Sequence, residues 1–337
     1  MSLTGLFTDI ANAIRNKKGT SSPIPATNFA SEIASIDVGG GSENDKLISL
    51  MEGTITTIKD SDLEGATQLR SYALAFSTSL TSVSIPNNIK TIGVNCFEDC
   101  TQLKTVNLQA NITSIPASIF KGCSSLETIN IPSSVRSIGM YAFDNCSKLT
   151  TLILPESVTS ISANSFSNSG ITSINIPSGV TTIGTYAFDS CKNLAEIHLP
   201  AGTTLNSSAF EDCSALTTIT LPTNLKTIPS GLFRNCTSLE TVNIPSTVTN
   251  IQTNGFYGCT SLKNITIPEN VTSIASGTFR NCTGLEEMTI LRATPPTLST
   301  NTIPTTITTI YIPAGSLSAY QGATNWSSFS SKFVELA

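Results

Sequence analysis

Charge is scarce in this sequence. Only 12% of its 337 residues are Asp, Glu, Lys or Arg, and the formal net charge is −5. No block of Lys or Arg occurs, so the chain lacks the footprint of a nucleic-acid binder, whose affinity comes largely from phosphate contacts. Nucleic acid is not an expected partner. Histidine is present once, as His198, which leaves a single imidazole for metal or acid–base chemistry, and tryptophan once, as Trp326. Long apolar runs are missing too: no stretch nears the roughly 20 residues of a membrane-spanning helix, and no membrane insertion is expected. The opening residues, MSLTGLFTDIANAIRNKKG, have no basic start, continuous apolar core or small-residue cleavage site, and do not read as a secretory signal.

What fills the chain instead is ordered. A phenylalanine recurs as Phe97, Phe120, Phe143, Phe166, Phe188, Phe210, Phe233, Phe256 and Phe279, every 22 or 23 residues, with Leu74 in the same slot one step earlier. Ten units can be counted on that step, the signature of a repeat architecture. Within a unit, Leu126, Ile129 and Ile131 alternate with polar residues, the period-2 mark of a strand with one buried face, and Pro132 ends it. Val135, Ile138 and Phe143 then point inward from a turn or a short helical piece. One such unit cannot bury its apolar side alone, so the units must stack, strand beside parallel strand, at ~4.8 Å.

The pattern L-x-x-I-x-I-P-x-x-V-x-x-I-G-x-x-A-F-x-x-C, carried over about residues 50–313, resembles the BspA-type leucine-rich repeats of bacteria, some protists and phages. The repeats and the resemblance together imply an α/β repeat solenoid of about ten 22–23-residue units with a parallel β-sheet on one face, and residue spacing adds a short helical N-terminal segment. The solenoid is expected at residues 47–290 and a capping segment at 291–337. A solenoid is a scaffold that hosts many partners, so the fold alone names none of them.

Eight of the nine cysteines sit three residues after the repeat Phe, from Cys100 to Cys282, with Ser77 and Ser169 in the same slot of their units. Zinc needs clustered ligand pairs and a catalytic thiol needs a nearby His. Neither pattern is present, and the cysteines are expected to be buried, free thiols lining a turn. Paired carboxylates such as Glu196 and Glu287 lie about four repeats apart, beyond the reach of one acid/base reaction. No catalytic residue, metal site or cofactor is assigned, and the chain is not expected to be an enzyme.

What remains is a surface. The outward strand slots form one column of Ser82, Thr105, Thr128, Thr151, Ser173, Glu196, Thr218, Thr241, Asn264 and Glu287, and a second that includes Asn107, Asn130, Asn175, His198, Thr220, Asn243 and Thr266. Threonine suits exposed strands and asparagine ladders satisfy one another, which is one account of these choices. The other is a long, nearly neutral, hydrogen-bonding face for a bacterial surface polysaccharide or protein.

At the N-terminus, Leu3, Phe7, Ile10 and Ile14 fall on one stripe at helical spacing, within a segment 1–38 that GGGS joins to the array through a linker at 39–46. Two readings stay open for it: a cap on the first repeat, or an assembly or docking domain, for which a homotrimer is the oligomer to seek. Its wording, LTGLFTDIANAIRNKKGTSSPIPATNFASEIASI, resembles the attachment segments of tail-associated proteins from phages and prophages of gut Firmicutes. That resemblance implies other virion or tail proteins as partners of residues 1–38, and a place in the phage tail after cytoplasmic synthesis. The bacterial cell surface is the alternative. At the other end, Tyr320, Trp326, Phe329 and Phe333 are available to cover the last repeat, with a sugar site at Trp326 as the competing reading.

Overall fold

Alternation builds the first strand of each coil. In Thr105–Leu108 the residues Thr105 and Asn107 face solvent while Val106 and Leu108 are buried, and the same pattern recurs in Ser82–Ile85 and Asn264–Ile267. The computed structural model describes residues 55–337. The stripe at Leu3, Phe7, Ile10 and Ile14, the segment 1–38 and the linker 39–46 lie outside the described residues. First strands pair in parallel with their neighbours one coil away, as in Ser82 with Thr105 and Thr105 with Thr128. They form a face ladder divided into sheets of four, two, two and four strands.

A second ladder runs behind the first. Short pairs such as Ser114–Ile115, Ser137–Ile138, Ser160–Ile161 and Thr182–Ile183 also stack in parallel, with Ile inward. Where a turn or short helical piece was expected at Val135 and Ile138, Ser137–Ile138 is therefore a strand, and Val135 packs inward from the preceding turn. A Ser or Thr followed by β-branched Ile suits that extended geometry. The coils close too tightly for a side chain at some positions after it: a Cβ on Gly139 would lie 2.6 Å from the Ile115 carbonyl oxygen.

The third side of each coil carries no strand but is hydrogen-bonded all the same. Asn95, Phe97 and Asp99 donate their N–H groups to Ala117, Ile119 and Lys121 of the next coil at 3.0, 2.9 and 2.7 Å. The alternate residues that make this possible adopt positive φ, as at Asn95 (59°), Asp99 (55°), Tyr141 (57°) and Asn145 (60°). Asn, Asp and Gly tolerate that region best, which accounts for their frequency in these slots.

Between the three sides lies the core. The nine repeat phenylalanines are fully buried and form one continuous stack, with successive ring centroids between 5.2 and 6.0 Å apart. Coils continue beyond residue 290, through Thr297–Leu298 and Thr309–Ile312, with Thr302 buried in the phenylalanine slot. The helix Leu317–Gly322, the 3-10 turn Ser327–Lys332 and the strand Phe333–Glu335 then close the end. Trp326 is 0% exposed, donates its indole N–H to the Pro296 carbonyl at 2.7 Å and meets Tyr320 edge-on. It is a cap residue, and the competing sugar-site reading is corrected: no ring face is available to a ligand.

Candidate recognition face

The outward residues of the face ladder stand in register. Thr105 faces Thr128, Ser173 faces Glu196, Thr218 faces Thr241 and Asn264 faces Glu287 in the first column. Asn175 beside His198 and Thr220 beside Asn243 continue the second, with Thr266 beside Thr289. Of the proposed face residues only Ser82 is half-buried, and the others are exposed. The structure therefore brings Ser82, Thr105, Asn107, Thr128, Thr151, Ser173, Asn175, Glu196, His198, Thr218, Thr220, Thr241, Asn243, Asn264, Thr266 and Glu287 onto one side of the solenoid. Glu196 and Glu287 are four strand steps apart, roughly 19 Å at ordinary strand spacing.

Local hydrogen bonds decide which of these groups are free to bind. Asn107 donates to Ser84 Oγ at 3.0 Å and Ser82 donates to Thr57 Oγ1 at 3.1 Å, while the Asn107 and Thr105 side chains are exposed. Asn130 behaves differently. Its side-chain carbonyl accepts the Leu108 N–H at 2.8 Å, and its NH2 donates to the Leu108 carbonyl at 2.8 Å. The side chain thus takes the two hydrogen bonds that a neighbouring strand would make, so the strand here stops at Thr128–Ile129. In the next coil only an isolated bridge, Thr151 to Ser173, continues the ladder.

That interruption divides the face into two concavities. One of about 860 Å3 lies over the first four strands, lined by Ser82, Ser84, Thr105, Asn107, Thr128 and Asn130 with Lys59 and Asp60 at its rim. The other, about 360 Å3, is lined by Thr151, Ile153, Ser173, Asn175, Glu196 and His198. Both are shallow troughs rather than enclosed cavities.

A second polar line, along the turn edge beside the phenylalanine stack, went unnoticed in the sequence. Lys121 pairs with Glu98 at 3.2 Å and Arg234 with Glu211 at 2.6 Å, and Arg234 also lies over the Tyr257 ring at 5.5 Å. Burial, then the charge of Glu211, raises the Asp189 carboxyl from 3.8 to about 6. The signal was present as a charged residue directly after the repeat Phe in several units. Among the described residues no group of three or more His, Cys, Asp or Glu is placed to hold a metal ion.

All nine cysteines are free and buried. Their thiols have a defined partner: Cys123, Cys146 and Cys236 Sγ donate to the carbonyls of Phe97, Phe120 and Phe210, one coil back, at 3.1, 3.2 and 3.1 Å. Burial pushes Cys191 up to about 12 and the other shifted thiols also well above their ordinary value. Thiols held neutral in this way are poor nucleophiles.

Stacked parallel strands, inward Leu and Ile and a repeating Phe define a leucine-rich-repeat solenoid, a class whose exposed faces carry its function. The family model for the BspA type leucine rich repeat region matches residues 67–195 and 182–301, and the chain belongs to that family. Among solved structures, a leucine-rich repeat protein from Bacteroides ovatus is 28% identical with a TM-score of 0.61, covering 69% of this chain and 63% of that one. The chain thus spans less than two thirds of that relative's length. The pneumococcal vaccine antigen PcpA shares the fold at 21% identity and a TM-score of 0.52, with 80% of this chain and 83% of that one covered. No curated protein matches the chain by sequence.

Proposed function

We propose that the chain is a non-enzymatic recognition protein that binds a bacterial surface polysaccharide or protein through the face ladder. The observation that carries this reading is the pair of in-register columns of exposed, mostly uncharged hydroxyl and amide groups, with a trough of about 860 Å3 over the first four strands. Sheet faces of solenoids are rigid, extended and free of structural duty, which suits them to elongated partners. A finer reading makes the protein a phage or prophage tail component attached through residues 1–38, with the bacterial cell surface as its alternative home. The wording of that segment is what supports it.

Two measurements test these readings. Binding of the labelled full chain to intact gut Firmicutes cells is compared with that of Asn107→Arg/Thr128→Arg, two exposed substitutions that leave the core untouched. At least a tenfold loss of binding with an unchanged melting temperature is expected. Equal binding by the variant removes this trough from the function, and no binding to any cell surface favours a spacer without ligand. Light scattering of the full chain and of a chain beginning at Glu43 tests the assembly reading. A trimer that becomes a monomer on shortening supports a tail component, and two monomers leave residues 1–38 as a cap or docking tail.

A further inference from the structure

Ile153 is out of character with its column. It is 87% exposed, the most exposed large apolar side chain among the described residues, in a slot that other coils fill with Asn107, Asn175, His198, Thr220 or Thr266. Its neighbours Leu152 and Leu154 are buried at 6% and 5%, so the coil is packed normally and alternation holds Ile153 outward. It sits where the ladder is interrupted, with Asn130 closing the strand edge before it and only the Thr151–Ser173 bridge after it. Around it is the trough of about 360 Å3, whose polar rim is Thr151, Ser173, Asn175, Glu196 and His198. His198 Nε2 lies 3.2 Å from Glu196 Oε1, with both side chains largely exposed.

A lone aliphatic knob in a shallow polar trough cannot swallow the apolar side chain of a peptide, which needs a pocket. It fits a flat ligand with an apolar face and a rim of hydroxyl groups. The lining holds no Lys or Arg and one carboxylate, which disfavours a phosphorylated or acidic polymer. We propose that this trough binds one pyranose unit of a neutral glycan, its C–H face on Ile153 and its hydroxyls hydrogen-bonded to Asn175, Glu196 and His198. The proposal rests on the reading of the face as a recognition surface and narrows its ligand.

The test uses the full chain with labelled isoleucine methyl groups, titrated by NMR with two neutral probes, cellohexaose and mannohexaose. At least one probe is expected to move the Ile153 methyl signals, with at least tenfold weaker binding in Ile153→Thr and in Glu196→Ala and no change in melting temperature. Unmoved Ile153 signals with both probes, or equal affinity in both variants, overturn the proposal, as does a shift produced only by an apolar hexapeptide. The same variants in the cell-binding assay separate the two claims. Loss in Asn107→Arg/Thr128→Arg but not in Ile153→Thr rejects this site alone, whereas no loss in either rejects the face.

Discussion

Each repeated residue answers a local demand that can be tested singly. A cysteine after the Phe places a small apolar group against the stack and gives the Phe carbonyl one coil back a second donor: the Phe120 carbonyl accepts the Cys123 N–H at 3.0 Å and the Cys146 Sγ–H at 3.2 Å. Cys146→Ala should therefore cost about 1 kcal/mol, the net worth of one hydrogen bond, by urea denaturation. A thiol reagent should modify none of the nine cysteines at an appreciable rate in the native protein and all of them in denaturant. Asp189 is a second residue-scale case. Its carboxyl titrates near 6 when folded and near 3.8 otherwise, so between those values the folded chain holds a proton that the unfolded chain has lost. The carboxylate thus opposes folding increasingly as pH rises from about 3.8 to about 6, in full above that, and not at all well below 3.8. Asp189→Asn should add about 1 kcal/mol of stability at neutral pH, a figure reduced for the half-exposed site, and nothing in strong acid.

At the scale of the element, the phenylalanine stack does what no single coil can. Phe143 and Phe166 lie 5.5 Å apart with an interplanar angle of 1°, each ring filling the space above the last. Phe166→Ala should cost about 3–5 kcal/mol and Phe166→Leu less than half of that, since Leu74 already serves in that slot; calorimetric melting of both variants checks the order. The stack and the face strands were legible in the sequence because both rest on side-chain identity at a fixed step. The rear ladder was not. A strand of two residues such as Ser137–Ile138 carries no alternation to detect, and its existence depends on the coil above and below it. The positive-φ turns were only partly legible: Asn95, Asn164 and Gly231 mark one slot, but Tyr72, Tyr141 and Tyr186 in the same slot of other units obscure it. The two columns of the candidate face could be listed from the sequence, but the Asn130 interruption could not, since it arises from one side chain folding back on Leu108.

For the whole molecule, stability is a matter of ends. Each described coil bonds chiefly to its neighbours, so unravelling begins where a neighbour is missing. Trp326 and Tyr320 close the C-terminal end, donating to the Pro296 and Arg292 carbonyls at 2.7 Å each. Trp326→Ala should lower stability by about 3–5 kcal/mol, and hydrogen exchange should speed up first in Thr309–Ile312 and Glu287–Ile290 while Thr105–Leu108 stays protected. Uniform acceleration along the chain would instead mean that the array unfolds as one unit. The nearest-neighbour bonding has one more consequence. Because Phe97 bonds forward to Ile119 just as Phe120 bonds forward to Ala142, one coil can be excised in frame and its neighbours can meet with the same contacts. The array is in that sense a ruler marked in strand spacings: gaining or losing a coil lengthens or shortens its reach by ~4.8 Å and resets which outward side chains stand next to one another.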